Sequence, residues 1–279
     1  MKTSFVTPKE YADIFLALAE AWQPKDTRRP DRFRKIMRQN RGSLARFSFY
    51  GVEENGLERR NPLVAILGDS VTAGHFEYTG DPEVMFRKVD EGTLTEDDAI
   101  EITDVRAGYA TRLRDKLIDE YEQTSVNVLN CGIAGDTALG MRARLTRDII
   151  LPQPDLVIIN ASLNWAEECG DTAHYADVLR QIVQRVKAET QAEIILMTPN
   201  MEIPGPFANP QSTLAERVAV IRRLAEEEDV FLADAYAVWE EYAGQGYPVE
   251  ALLANGMNHP STTGHEGFAI LLMKFLKKD

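Results

Sequence analysis

The sequence has few of the features that mark membrane, secreted or disulfide-rich proteins. It contains only two cysteines in 279 residues, and their spacing fits neither a CxxC pair nor a zinc-ligand set, so Cys131 and Cys169 are expected to be free thiols. No apolar run approaches the roughly 18 residues that a membrane-spanning helix needs. The first residues lack an apolar segment followed by a small-residue cleavage site. We therefore expect a cytoplasmic globular protein without a membrane span.

Basic residues are in short supply as well. The chain has 31 Lys and Arg against 44 Asp and Glu, which gives a net charge of -13. Because binding to phosphates requires a basic surface, this charge argues against a nucleic-acid partner. The charge is unevenly placed, with a basic stretch at residues 25–46 and an acidic stretch at residues 77–104. We expect these two stretches to pair with each other, within one chain or between neighbouring chains.

Apolar, β-branched runs of strand length alternate with amphipathic helical stretches from residue 63 onward. The predicted strands are 63–67, 126–130, 156–160, 193–198 and 230–232. The predicted helices are 104–121, 139–149, 172–190, 213–228 and 264–276. This alternation predicts a three-layer α/β/α, flavodoxin-like, doubly wound sheet of about five parallel strands. In such sheets the ligand site lies outside the carboxyl ends of the strands.

The first sixty residues have another character. Residues 8–22 are predicted to form a helix with Tyr11, Phe15 and Leu18 on one face, and 47–52 a short strand. Sixty residues make a marginal core alone. We therefore expect 1–60 to be an N-terminal helical arm packed on the core or on a partner subunit, before a domain at 61–279. The apolar helix face makes a homodimer through the arm one expectation.

A serine follows the first predicted strand, within the sequence GDSVTAG at residues 68–74. Taken alone, Ser70 is more often a turn or capping serine than a nucleophile. The nucleophile elbow of α/β-hydrolases requires G-x-S-x-G, but Thr72 occupies the last position. A phosphate-binding P-loop requires a lysine where His75 stands, and its glycine spacing differs. Both of these alternatives are excluded.

A histidine near the other end of the chain could serve as a base. His259 lies in a loop just before the last predicted helix, and the chain has 4 histidines in all. A lone loop histidine is usually structural or solvated. His259 and His265 have no accompanying cysteine or carboxylate pattern that would complete a metal site. No metal or cofactor is expected.

Together these segments resemble the SGNH (GDSL-type) esterase and acylhydrolase family, over roughly residues 62–277. Four blocks occur in the family's order: GDSVTAG at 68–74, NCGIAGDT at 130–137, NASLNW at 160–165 and NHP at 258–260. The resemblance implies that Ser70 is the nucleophile and His259 the general base. It also implies an oxyanion hole made by the backbone N–H groups of Ser70 and Gly135 and the side-chain amide of Asn164.

The sequence departs from the family at two positions. Gly256 stands where the family usually has the aspartate that orients the histidine. Either the third member of the triad is absent, or its place is taken by Asn255, a backbone carbonyl or a carboxylate from elsewhere. We hypothesise a Ser70–His259 dyad with Asn255 as a neutral helper, whose amide oxygen would accept the Nδ1 proton of His259. Trp165 stands where the family often has an aspartate, and it is either a buried aromatic or a wall of the substrate pocket that stacks on a sugar ring.

The resemblance implies a serine esterase acting on a small ester, with an O-acetyl group on a carbohydrate as one candidate. Two alternatives stay open. An acyltransferase would use the same serine and pass the acyl group to an acceptor sugar instead of water. A carbohydrate-binding relative with weak or no catalysis would have kept the fold alone, and the missing aspartate favours this alternative.

Overall fold

A parallel sheet of five strands forms the centre of the molecule. The computed structural model describes residues 7–39, 61–78, 84, 87–88, 91–93, 95, 101–122, 125–203 and 213–278. The strands are β1 (Leu63–Gly68), β2 (His75–Tyr78), β3 (Glu101–Asp104), β4 (Asn127–Gly132), β5 (Leu156–Asn160), β6 (Glu193–Met197) and β7 (Phe231–Ala233). The order in the parallel sheet is β4-β1-β5-β6-β7, and β2 and β3 form a separate antiparallel pair. The predicted fold class and its five strands are confirmed.

Helices cover both faces of this sheet. They are α1 (Pro8–Ala21), α2 (Asp31–Gln39), α3 (Ser70–Ala73), α4 (Tyr109–Glu120), α5 (Ala138–Leu145), α6 (Thr172–Glu189), α7 (Leu214–Glu227), α8 (Ala235–Gly244) and α9 (Thr262–Leu276). Side chains alternate along β1, so that Val64 and Ile66 join the core shared with α1, α4, α8 and α9, while Ala65 and Leu67 join the core shared with α5, α6 and α7. This alternation produces the three layers.

Besides the single turn of α3, two helices lie where no helix was predicted. Helix α8 begins after Asp234, whose side chain caps it by accepting from the N–H of Ala237. Its buried face consists largely of aromatic side chains, which are weak helix formers, and this weakened the sequence signal. Helix α2 is highly charged, and only Phe33 and Met37 of its residues are buried apolar side chains. Their spacing of four residues places both on the face that meets the core.

The N-terminal arm packs on the core of its own chain. Phe15 is 2% exposed and lies edge-on to Trp239 and Tyr242, with ring centroids 5.0 and 5.7 Å away. Tyr11 and Leu18 pack against the same core. The apolar face of α1 is therefore covered within the chain, and the expected homodimer stays a prediction. The predicted strand at 47–52 and the boundary at residue 60 lie outside the described residues.

Three arginines of the basic stretch have contacts outside the acidic stretch, and the expected pairing of the two stretches stays a prediction because most of the acidic stretch lies outside the described residues. Arg28 pairs with Asp229 at 2.7 Å and Arg32 with Asp155 at 3.5 Å, while the Nε of Arg34 donates to the carbonyl oxygen of Lys277 at 2.9 Å. Asp155 and Asp229 precede β5 and β7. The arm thus lies at the amino ends of the strands, whereas the acidic stretch follows the carboxyl end of β1 and is largely outside the described residues.

Within the described ranges, no helix combines the length and the apolar character that crossing a membrane requires.

Phe15→Ala tests whether the arm belongs to the cooperative core. Because Phe15 fills a buried aromatic site, we expect a loss of about 3–5 kcal/mol of unfolding free energy, measured by urea denaturation. Asp13→Ala, at an exposed position of the same helix, serves as the control and should leave the midpoint almost unchanged. Equal midpoints for the two variants would show that α1 contributes nothing to global stability.

Candidate active site

Three neighbouring strands end side by side at the candidate site. Gly68, at the end of β1, pairs with Gly132 of β4 on one side and with Asn160 of β5 on the other. The connection after β1 leads to one face of the sheet and those after its two neighbours to the other, and the ligand crevice of such a sheet is expected at this point. The sequence blocks that carry Ser70, Gly135 and Asn164 all begin at these three strand ends.

Ser70 is the first residue of the short helix α3. Asp69 caps this helix, because its Oδ1 accepts from the N–H of Val71 at 3.0 Å. Asn130 of β4 holds the same turn by donating from Nδ2 to the carbonyl oxygen of Thr72 at 2.8 Å. The Oγ of Thr72 also hydrogen-bonds to the hydroxyl of Tyr109 at 2.7 Å. The backbone around Ser70 is therefore fixed from two sides.

Asp69 is a buried carboxyl group immediately before the serine. It is 1% exposed, and burial raises its pKa to about 7, with the nearby charge of Asp136 adding to the increase. The hydrogen bonds it accepts from backbone N–H groups oppose this shift. Asp69 thus caps the helix from a buried, low-dielectric position and stabilises the turn. Its carboxyl group is not accessible to solvent.

His259 meets Ser70 across 189 residues of sequence. The Oγ of Ser70 lies 2.8 Å from the Nε2 of His259, which is hydrogen-bond distance for a nucleophile and its base. The loop that carries His259 folds back on itself, since the N–H of Ala254 donates to the carbonyl oxygen of His259 at 2.8 Å. The two residues that the sequence proposes as nucleophile and base are thus brought together.

Asn255 contacts His259, but through the atom opposite to the one expected. Its Oδ1 accepts from three backbone N–H groups, those of Met257 at 3.0 Å, Asn258 at 2.9 Å and His259 at 2.8 Å. Its Nδ2 therefore faces the imidazole and lies 3.0 Å from Nδ1. The expectation that the amide oxygen accepts the Nδ1 proton is wrong, because the backbone of the loop already occupies that oxygen.

Gly256 explains why an aspartate is missing from this loop. Its φ is +68°, in the left-handed region that glycine adopts freely and other residues adopt at a cost. The turn that wraps the backbone around the Oδ1 of Asn255 uses this conformation. An aspartate at position 256 would strain the turn that presents His259.

Asp136 connects Gly135 to Asn164, because it follows Gly135 in the chain and its carbonyl oxygen contacts the side chain of Asn164. Gly135 has a φ of +73° in the turn after β4, closed by the N–H of Asp136 donating to the carbonyl oxygen of Ile133 at 3.1 Å. The Nδ2 of Asn164 lies 3.3 Å from the carbonyl oxygen of Asp136. The turn connects to the serine strand, since the N–H of Ile133 donates to the carbonyl oxygen of Gly68 at 3.2 Å. The two predicted oxyanion donors thus share one edge of the crevice.

Trp165 lies in the core. It is 8% exposed, its indole N–H donates to the carbonyl oxygen of Gly170 at 2.8 Å, and its ring packs edge-on against Tyr175 with centroids 5.1 Å apart. These contacts favour the buried-aromatic interpretation of Trp165 over the pocket-wall interpretation.

One positioning residue was missed in the sequence. Asn200 follows β6 and is fully buried, and its Nδ2 donates to the carbonyl oxygen of Asn258 at 2.7 Å. Ile203, further along the same stretch, donates its N–H to the carbonyl oxygen of Met257 at 2.9 Å. The stretch after β6 therefore supports the histidine loop. A polar residue at the carboxyl end of an apolar strand was the available signal.

Of the residues that the structure describes, no three His, Cys, Asp or Glu side chains are grouped so as to hold a metal ion.

Comparison with known proteins gives a family match. Residues 66–266 match the model of the GDSL-like lipase/acylhydrolase family, as the four sequence blocks predicted. An acetylxylan esterase from Geobacillus stearothermophilus is 31% identical over 182 residues, which are 61% of this chain and 80% of that protein.

Solved structures that are similar to this chain include an acetylxylan esterase and a GDSL-like lipase. A crystal structure of an acetylxylan esterase from Geobacillus stearothermophilus is similar with a TM-score of 0.57 and 26% identity, covering 78% of this chain and 95% of that chain. A GDSL-like lipase structure from Parabacteroides merdae has a TM-score of 0.59 at 19% identity, covering 79% and 97%, and shows the shared fold.

The Geobacillus enzyme also shows where this chain differs. Three further structures of it are described as catalytic mutants, in which a serine, an aspartate or a histidine is replaced. The aspartate lies three residues before the histidine in that enzyme. In this chain that position is Gly256.

Gly132→Ala tests whether the close approach of β4 positions the serine. A Cβ at residue 132 would lie 2.6 Å from the Cα of Ala73 and would overlap its backbone nitrogen, so α3 and Ser70 would have to move. We expect the rate at which a fluorophosphonate labels Ser70 to fall about hundredfold. Gly244→Ala is the matched control, because a Cβ there meets nothing within 4 Å. Equal labelling rates would contradict this role for Gly132.

Proposed function

This chain belongs to the GDSL-like lipase/acylhydrolase family, and we propose that it is a carbohydrate esterase that removes small acyl groups, acetyl in particular, through Ser70 and His259. As a member of this family it is a carboxylic ester hydrolase. The observation that carries the assignment of the two residues is the distance of 2.8 Å between the Oγ of Ser70 and the Nε2 of His259.

The proposed reaction has two halves. In the first, Nε2 of His259 accepts the hydroxyl proton of Ser70 while Oγ attacks the ester carbonyl carbon, and the backbone N–H groups of Ser70 and Gly135 and the Nδ2 of Asn164 bind the oxyanion. The bond to the alcohol oxygen then breaks, and that oxygen takes the proton from His259. In the second half, His259 takes a proton from water as the water attacks the acyl-serine carbonyl. The bond between the acyl group and Oγ then breaks, His259 returns the proton to Oγ, and the acid leaves.

The substrate class is proposed from the relatives. The curated protein at 31% identity is named an acetylxylan esterase, and a solved structure at 27% identity is of an enzyme described as an acetyl-xylooligosaccharide esterase. Both names support an O-acetyl carbohydrate as the substrate of this chain. An acyltransferase using the same serine would instead give an acetylated acceptor sugar as product.

The orientation of the Asn255 amide affects which nitrogen of the His259 imidazole carries the proton. An N–H of Asn255 directed at Nδ1 of His259 favours the imidazole tautomer whose proton is on Nε2, so that the ring donates to Ser70. A general base needs Nε2 without a proton. Asn255 therefore holds the loop in shape while opposing the tautomer that activates the serine. In serine proteases, replacing the orienting aspartate by asparagine lowers kcat about 10⁴-fold through the same tautomer effect.

Asn255→Asp should therefore increase activity. One carboxylate oxygen would still accept from the three backbone N–H groups, and the other would replace Nδ2 and accept the Nδ1 proton, while the amide of Asn258 can turn to donate to it. We expect kcat for hydrolysis of p-nitrophenyl acetate to rise about tenfold or more. Asn127→Asp, at the exposed start of β4, makes the same chemical change far from the loop and should change nothing. An unchanged or lower kcat in a folded Asn255→Asp protein would contradict the tautomer argument.

The proposed function is tested by labelling and by product analysis. A fluorophosphonate should modify Ser70, located by peptide mass spectrometry, and labelling should vanish in Ser70→Ala and nearly vanish in His259→Ala. His174→Ala removes an exposed histidine and should behave like the unmodified protein.

The same proteins should release acetate from acetylated xylo-oligosaccharides in the same order of activity. Absence of labelling under any condition would favour a binding module. Transfer of acetyl to an added acceptor sugar, in preference to water, would favour the acyltransferase.

A further inference from the structure

Arg144, at the end of α5, joins the three parts of the candidate site. Its Nη2 donates to the carbonyl oxygen of Gly68 at 2.9 Å and its Nη1 to the carbonyl oxygen of Cys131 at 2.7 Å. Its Nε donates to Oδ2 of Asp136 at 2.6 Å, and Nη1 also meets Oδ2 of Asp148 at 2.5 Å. The side chain is only 9% exposed. One buried guanidinium thus connects the ends of β1 and β4 to the turn that carries Gly135.

Asp136 extends this connection to both predicted oxyanion donors. It follows Gly135 directly, and its carbonyl oxygen lies 3.3 Å from the Nδ2 of Asn164. Its Oδ1 accepts from the N–H of Thr137 at 2.9 Å, while Oδ2 is held by Arg144. The carboxylate is therefore held at both oxygens, which fixes the side chain of the residue directly after Gly135.

Helix α5 leaves room for this carboxylate at Gly140. A Cβ added at Gly140 would overlap Oδ1 of Asp136 and lie 2.9 Å from its Cγ. Because Arg144 and the N–H of Thr137 hold both oxygens, the carboxylate cannot swing aside without losing these bonds. The absence of a side chain at residue 140 is thus part of the same arrangement.

We propose that Arg144 is a positioning residue that holds the Gly135–Asp136 turn in place for oxyanion binding by fixing it to the ends of β1 and β4. The inference rests on the proposed function of Ser70 and Gly135. Donors stabilise a developing negative charge only when they are already in place. A planar guanidinium can serve several acceptors in fixed directions, whereas the ammonium of lysine is a point charge on a flexible stem.

The test compares four proteins by their kcat and KM for p-nitrophenyl acetate and by their urea unfolding. Arg144→Lys keeps the positive charge but loses the planar guanidinium with its several N–H donors. We expect kcat to fall about hundredfold, as for loss of one oxyanion donor, with KM little changed. Gly140→Ala displaces the Asp136 carboxylate, so kcat should fall in a protein that urea unfolding shows to be folded, since the gain in helix propensity offsets part of the lost hydrogen bonds. Arg147→Ala is the control. It removes a guanidinium that also pairs with Asp148, at 2.5 Å, but is 68% exposed, and its kcat should match that of the unmodified protein.

Each outcome decides the inference. A lowered kcat with unchanged KM in Gly140→Ala and in folded Arg144→Lys supports it. Wild-type kcat in either folded variant overturns it and leaves the proposed function intact. If Arg144→Lys does not fold, Gly140→Ala decides alone. An unmodified protein that neither hydrolyses the ester nor reacts with a fluorophosphonate would instead contradict the proposed function.

Discussion

The register of the three central strands is the constraint on which the site depends. Gly68 lies between Gly132 and Asn160, so that three chain segments leave the sheet at the same level. Gly132 has no Cβ, and the backbone of Ala73 occupies the space that one would fill. The turn that begins at Ser70 can therefore lie directly against β4. A shift of one residue in either pairing would separate the serine from the turn of Gly135 and from Asn164.

The histidine loop combines two requirements that a single side chain cannot meet equally well. Its shape needs an acceptor at residue 255 for three backbone N–H groups, and the amide oxygen of Asn255 supplies it. The imidazole of His259 is a better base with an acceptor at Nδ1, and the Nδ2 of Asn255 supplies a donor. In the Geobacillus enzyme the aspartate lies three residues before the histidine, where this chain has a glycine in the left-handed conformation.

Much of the fold and the identity of the site residues could be predicted from the sequence. The apolar runs of β1 and β5 and the polar blocks that follow them carry strong local signals, because each buried strand must end where polar residues begin. The blocks also identified Ser70 and His259 as partners, and the structure places them in hydrogen-bond contact.

What the sequence could not supply depends on contacts between distant residues. The direction of the Asn255 amide is set by three backbone N–H groups that converge only when the loop has folded. The packing of the arm on its own chain depends on the contacts of Phe15 with Trp239 and Tyr242, which are far away in the sequence. Arg144 occurs in an ordinary amphipathic helix, and only the fold brings its guanidinium to Gly68.

The proposed mechanism requires that Ser70 attacks an ester while donors from two other strand ends bind the oxyanion. A crystal structure of the phosphonylated protein tests it most directly, because the adduct mimics the tetrahedral intermediate. The account predicts phosphorus bonded to the Oγ of Ser70, with one phosphoryl oxygen about 2.7–3.1 Å from the N–H nitrogens of Ser70 and Gly135 and from the Nδ2 of Asn164. A phosphoryl oxygen directed to solvent, away from Gly135 and Asn164, would contradict it.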